Sequence, residues 1–246
     1  MKKIVILSVC LAIGIASIAF VSKPVPGASL VIAFDHYAGS APLRLDTVAY
    51  RNDLGQPFMV TMLKYYIGLI RLDEEGGSSV SFKDYYLVDE EDEASGSIAL
   101  SNIPAGRYTG ISFLVGVDSA GNCSGAQAGA LDPVHGMFWA WNTGYIFFKL
   151  EGKSASSALP GHIFEYHIGG YKAPAVSVRR ISLRFPQPLV VAGGGDHHLA
   201  IKADVAEVLK VPTTIDFARL PSVTDTRNAA MIADNYADMF SVTAVR

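Results

Sequence analysis

The chain has 246 residues, half of them hydrophobic and 17% charged, with a formal net charge of −3 and a mean hydropathy of +0.29. Those values exclude a disordered or acidic-tail protein and argue against a nucleic-acid binder, which needs a basic face. A single long apolar run excludes a polytopic membrane protein, and 23 glycines and 12 prolines scattered among short apolar stretches favour an all-β chain.

Lys2 and Lys3 precede an apolar run from Ile4 to Val21 broken only by Ser8, Gly14 and Ser17. A basic start before an apolar core is the pattern of a secretory signal, and Ser17 and Ala19 are small residues suited to cleavage after Ala19. The rival is an uncleaved anchor reaching to about residue 22, because Phe20 and Val21 prolong the run. Either way the body is expected to be exported, to the periplasm or beyond the cell. Residues 1–19 read as the signal, 20–28 as a linker around Lys23-Pro24-Val25-Pro26-Gly27, and 29–246 as one domain. Cys10 leaves with the signal, so the mature chain keeps Cys123 alone, has no internal disulfide, and is expected to bury that thiol.

Past the linker, strand-like stretches recur between turn signals. They are Ser29 to Phe34, Phe58 to Leu72, Ser97 to Leu100, Gly106 to Val117, Trp139 to Trp141, Tyr145 to Leu150, Ile163 to Ile168, Val178 to Phe185 and Leu199 to Val205. Phe58 to Leu72 is long enough for a helix, but its β-branched and aromatic residues favour a strand. One helix is expected near the end, capped by Asp225 or Thr226 and running from Arg227 to Phe240. The predicted architecture is all-β: a single sandwich or barrel-like domain with long loops and a short C-terminal helix.

Enzyme signatures are missing. There is no Walker loop, dinucleotide fingerprint, Gly-x-Ser-x-Gly or His-Glu-x-x-His, so the chain is expected not to be an enzyme. The acidic run Asp89-Glu90-Glu91-Asp92-Glu93 reads as a solvated loop tip, with a surface calcium site as the sharper alternative. The stretch Gly116 to Gly152 joins a polar, glycine-rich loop with Asp118, Asn122 and Asp132 to a strand carrying both tryptophans. Strand alternation puts Met137, Trp139 and Trp141 on one face, as a core slab or as an aromatic wall beside a ligand. The two aspartates cap turns or hold a cation.

Among six histidines, His36 shares a strand face with Ile32 and Phe34, and His167 shares one with Ile163 and Glu165. Both end a strand before a glycine-containing turn, where a sheet presents ligands at its rim. His135 sits just before the tryptophan strand and could join a site; His162 and the adjacent His197 and His198 read as surface residues. Few imidazoles, a methionine sulfur and an aromatic wall suit a soft, low-coordinate ion, copper(I) first.

The strings Phe34-Asp35-His36, Lys64-Tyr65-Tyr66-Ile67, Ile103-Pro104-Ala105-Gly106-Arg107-Tyr108, Gly136-Met137-Phe138-Trp139-Ala140-Trp141-Asn142-Thr143-Gly144-Tyr145 and Tyr166-His167-Ile168-Gly169-Gly170 resemble the MbnP-like family. These are exported copper-binding proteins related to the methanotroph proteins MopE and CorA. The resemblance spans the mature chain to Asn235-Tyr236-Ala237-Asp238-Met239-Phe240. It implies a β-rich domain with a mononuclear copper site built from histidines, His36 and His167 first. It also implies a tryptophan, Trp139 or Trp141, oxidised to kynurenine by a partner dihaem cytochrome c peroxidase of the MauG-like type. The rival functions are a glycan- or protein-binding module, which requires an exposed Trp139 or Trp141 in a groove and histidines far apart, and a calcium-stabilised domain using Asp118, Asn122 and Asp132.

Overall fold

The computed structural model describes residues 27–139, 144–173 and 175–246. The expected signal, most of the linker, and Trp141 lie outside the described residues. Alternation along Ala28–Ala38 (β1) sets the frame: Ala28, Leu30, Ile32 and Phe34 are buried while Ser29, Val31 and Ala33 are partly exposed. His36 continues the inward row, with a side chain only 4% exposed. After β1 come Ala41–Pro42 (β2), Tyr50–Arg51 (β3), the long Pro57–Glu74 (β4), Ser79–Ser81 (β5), Tyr85–Asp89 (β6), Ser97–Ile103 (β7) and Gly106–Val115 (β8). The second half holds Ser119–Cys123 (α1), Phe138–Trp139 (β9), Gly144–Lys153 (β10), Ile163–Gly169 (β11), Arg179–Val191 (β12), Asp196–Asp204 (β13), Ser222–Val223 (β14), Ala229–Ala237 (α2) and Phe240–Val245 (β15).

Two sheets form an open sandwich. In the first, β15, β13 and β1 lie side by side, with β1 parallel to β13 and its other edge paired to β7 and β2. The second runs β12-β8-β4-β10-β11-β14, with β3, β5 and β6 paired to β4 and β9 to β10. Inward rows from both sheets interlock through aromatic edges: Phe34 meets Phe113 at 5.8 Å and Phe240 at 6.2 Å, and Tyr65 stacks on Phe148 at 6.2 Å. Such pairs each add about 0.5–1.5 kcal/mol beyond area burial.

Phe58 to Leu72 is a strand, as its β-branched and aromatic content predicted, and all of it falls within β4. The C-terminal helix is shorter than periodicity implied. Asp225 Oδ1 does accept from the Arg227 amide, but the helix starts at Ala229 after Asn228, which makes no side-chain cap. Phe240 leaves it to pair with Ala203 in β15, because its ring is needed in the sandwich core. His197 and His198 lie in β13 opposite Leu30 and Val31 rather than in a surface loop. Among the described residues no helix is long and apolar enough to cross a membrane.

A second, smaller core lies on the far side of the larger sheet. Tyr65 points into the sandwich, so Tyr66 points out, where it packs with Val117, Leu131, Met137, Trp139, Tyr145 and Phe147. The long segment after β8 folds back over this outer face to supply most of them. Asn122 anchors it: Nδ2 donates to the Val117 carbonyl at 2.7 Å and Oδ1 accepts from the Tyr145 amide at 3.1 Å.

Candidate functional site

The histidines singled out above fall on different surfaces. Lys64, Lys149 and His167 stand opposite one another across β4, β10 and β11, and the next rung is Tyr65, Phe148 and Ile168. The second rung belongs to the sandwich core, so the first faces outward. His167 is therefore on the outer face. His36 approaches the same sheet from within, its Nε2 lying 2.8 Å from the Tyr65 hydroxyl. The sheet separates the two imidazoles, and the two-histidine site expected from their strand-end positions is not formed. The reason is parity: each strand end matched the expectation, but one row points in and the other out.

His36 has both ring nitrogens engaged. Nδ1 meets Glu90 Oε2 at 2.5 Å and Nε2 meets Tyr65. Above it opens a polar cleft of about 580 Å³ lined by Asp35, Arg44, Glu90, Glu91, Asp92 and Glu93 among others. The acidic run is not merely a solvated tip: Asp89 closes β6 and pairs with Lys64 at 2.8 Å, Asp92 caps a short 3-10 turn, and Glu90 reaches inward to His36.

His167 is arranged otherwise. Its Nε2 lies 2.7 Å from Glu151 Oε1, its side chain is 17% exposed, and Nδ1 makes no hydrogen bond among the described residues. Two residues on, Gly169 shares its face. A Cβ there would come within 2.6 Å of the Trp139 ring, so the indole lies across the strand beside His167. Trp139 is 6% exposed and belongs to the small outer core with Met137. It nevertheless borders a cleft of about 340 Å³ with Tyr145, Tyr171 and Lys172, so its ring edge faces a hollow without the broad exposure that a glycan- or protein-binding module required. Trp141 lies outside the described residues.

His135 closes a 3-10 turn, with Nε2 at 3.0 Å from the Gly129 carbonyl. It borders a pocket with Asp89 and Asp92 on the β6 side. Asp89, Lys64, Lys149 and His167 occupy one rung of four strands, so Asp89 and His167 are about 14 Å apart at the usual strand spacing. His135 and His167 gather with no third His, Cys, Asp or Glu side chain among the described residues.

The three residues of the calcium alternative serve local structure. Asp118 caps α1 through the Gly121 amide at 2.8 Å, Asp132 caps the turn at Val134 at 2.9 Å, and Asn122 is buried in the anchor described above. Cys123, expected to be buried, is exposed at the end of α1. That short helix turns its Asn122 side inward and leaves the thiol outside. Sequence reasoning missed Glu90, Tyr65 and Glu151 as partners of the histidines. Glu151 was within reach, since it directly follows the Tyr145 to Leu150 stretch and β10 continues through it; Glu90 was masked by four acidic neighbours.

A family profile described as MbnP matches residues 27–226. The chain belongs to the MbnP family. No curated protein matches it. Among solved structures, MbnP from Methylosinus trichosporium is similar at 15% identity, covering 77% of this chain and 79% of that one with a TM-score of 0.52. At that identity the likeness is one of fold. Copper, the metal that the MbnP resemblance implies, fits the residues of this MbnP family member only in part. Among the described residues no three His, Cys, Asp or Glu side chains gather to hold an ion. His167 has the makings of a ligand: a carboxylate fixes one nitrogen, as is usual for metal-bound imidazoles, and leaves the other for the metal, while His135 and His162 are each fixed at one nitrogen by a backbone carbonyl.

Proposed function

We propose that this MbnP family member is an exported copper-binding protein, not an enzyme, that captures or carries copper at His167 on the outer face of its larger sheet. The observation that carries the reading is the His167–Glu151 pair with Nδ1 left over, on the face that Trp139 covers. Family membership supports the choice of metal, and the basic, apolar leader supports export to the periplasm or beyond.

One imidazole does not make a copper site. An indole nitrogen has no good lone pair to offer, whereas kynurenine presents an amine and a carbonyl. Oxidation of Trp139 by a MauG-like dihaem peroxidase would therefore turn a packing residue into a ligand beside His167, and Met137 lies in the same cluster. Glu151 would hold the ring and raise the basicity of Nδ1; copper, when bound, would supply redox exchange between its two common states.

Copper titration with metal analysis of protein purified from its native host tests this. Stoichiometric copper in the wild type, lost in His167→Ala and kept in His36→Ala, is the expected result. Intact mass of the same protein should show the gain of one oxygen with the loss of one carbon that turns tryptophan into kynurenine. A wild type without copper, or His167→Ala binding as much, overturns the proposal.

A further inference from the structure

The inner face carries a second chemistry that is independent of copper. Tyr65 is fully buried, its ring stacked on Phe148 and edged by Phe34 at 6.3 Å and Phe240 at 5.9 Å. Its hydroxyl touches one basic atom, His36 Nε2 at 2.8 Å, and the opposite nitrogen of that ring touches Glu90 at 2.5 Å. The Glu90 side chain is 21% exposed and opens on the acidic cleft. Phenol, imidazole and carboxylate form one line from the dry core to water.

The proton directions follow from the groups. An ionised carboxylate only accepts, so Nδ1 carries the hydrogen, and in the neutral ring Nε2 accepts from the Tyr65 hydroxyl. Burial raises the Tyr65 pKa well above the ordinary phenol value, and the nearby Glu90 charge adds to it. The phenol is therefore protonated at neutral pH, and a bare phenolate is out of reach. A phenol that loses an electron, however, becomes a strong acid and releases its proton to whatever base it already touches.

We propose that Tyr65 is a redox-active tyrosine, giving one electron to a high-potential one-electron oxidant while its phenolic proton passes to His36. In the step the Tyr65 O–H bond breaks and an Nε2–H bond forms. The oxidant is reduced by one electron, and the products are a neutral tyrosyl radical and an imidazolium paired to Glu90. Return of an electron to the radical sends the proton back along the same bond. The Nδ1 proton can shift to Glu90 at the cleft, which relieves the buried positive charge. The aromatic wall keeps water from the radical. A merely structural role, satisfying two buried polar groups, would leave Tyr65 no easier to oxidise than the chain's other tyrosines.

The test uses copper-free mature protein and a photogenerated ruthenium(III) polypyridyl as oxidant, read by transient absorption and by electron paramagnetic resonance after freezing. We expect a tyrosyl radical in the wild type that Tyr65→Phe abolishes. His36→Gln keeps a side chain able to accept from Tyr65 and donate to Glu90 but removes the base, so radical formation should slow by about 100-fold, a usual value for a positioned base. A wild-type radical formed in deuterium oxide should also show a strongly coupled exchangeable deuteron at the phenoxyl oxygen, a readout that needs no variant. An unchanged radical in folded Tyr65→Phe, an unchanged rate in folded His36→Gln, or a wild-type radical without that deuteron overturns the proposal.

Discussion

Whether a strand histidine can take a ligand depends on what its neighbours leave of the ring. His36 is bonded at both nitrogens and roofed by an acidic cleft, whereas His167 is bonded at one and lies beside an indole. The indole is there because of Gly169. A methyl group at that position would stand 2.6 Å from the Trp139 ring and 2.5 Å from the Tyr145 carbonyl oxygen, and the second contact is backbone that cannot swing away. Gly169→Ala is expected to lose about 1–3 kcal/mol in urea unfolding, as over-packed sites do, and to shift Trp139 emission to longer wavelength, towards that of an exposed indole. A variant as stable as the wild type would show that Trp139 does not depend on this hollow. His36→Ala should behave differently, leaving tryptophan emission unaltered because the sheet stands between them.

Strand content was readable in two ways: β1, β11 and β13 follow their apolar alternation, β8 and β10 read as near-continuous apolar runs because both of their faces are covered, and the length of β4 did not disguise its β-branched character. What could not be read was parity between distant strands. His36 and His167 each end an alternating row, but only the pairing of Tyr65 with Phe148 and Ile168 shows that one row faces the sandwich and the other its outside. β6 was hidden by the acidic residues that follow it, and β15 by Phe240, whose spacing also fitted a helix. The loop that covers the outer face was noticed for its polar residues, yet these serve the fold. Asn122 is 4% exposed and holds the segment by donating to the Val117 carbonyl and accepting from the Tyr145 amide. Replacing Asn122 by Ala leaves those buried groups unpaired, and at about 1–3 kcal/mol each the cost should appear as lost stability and faster amide exchange at Tyr145. Exchange unchanged at Tyr145 would mean the segment is held by its aromatic residues alone.

The sandwich as a whole is open, and the segment between β13 and α2 is tied to the turn before β4 by hydrogen bonds of side-chain amides. Asn52 Nδ2 donates to the Ile215 carbonyl at 3.1 Å, Gln56 Oε1 accepts from the Phe217 amide at 3.1 Å, and Gln56 Nε2 donates to Asp216 Oδ1 at 2.8 Å. Behind them Phe217 packs on Phe58 at 5.9 Å and Phe164 at 4.7 Å, so the tie secures aromatic core as well as loop. The Gln56 side chain and the Ala218 amide hold the Asp216 carboxyl below its ordinary pKa, with Arg219 adding to them. A carboxyl depressed on folding binds protons more tightly in the unfolded chain. Its contribution is therefore complete above the ordinary aspartate value, about pH 4, and is lost as pH falls through the lower folded value. Asp216→Asn keeps the accepting oxygen but not the charge, so it should melt below the wild type at neutral pH and approach it as the solution is acidified. Thermal melts of the two proteins across that range decide the matter: a gap that stays constant into acid would show that the charge on Asp216 has no part in closing this end of the molecule.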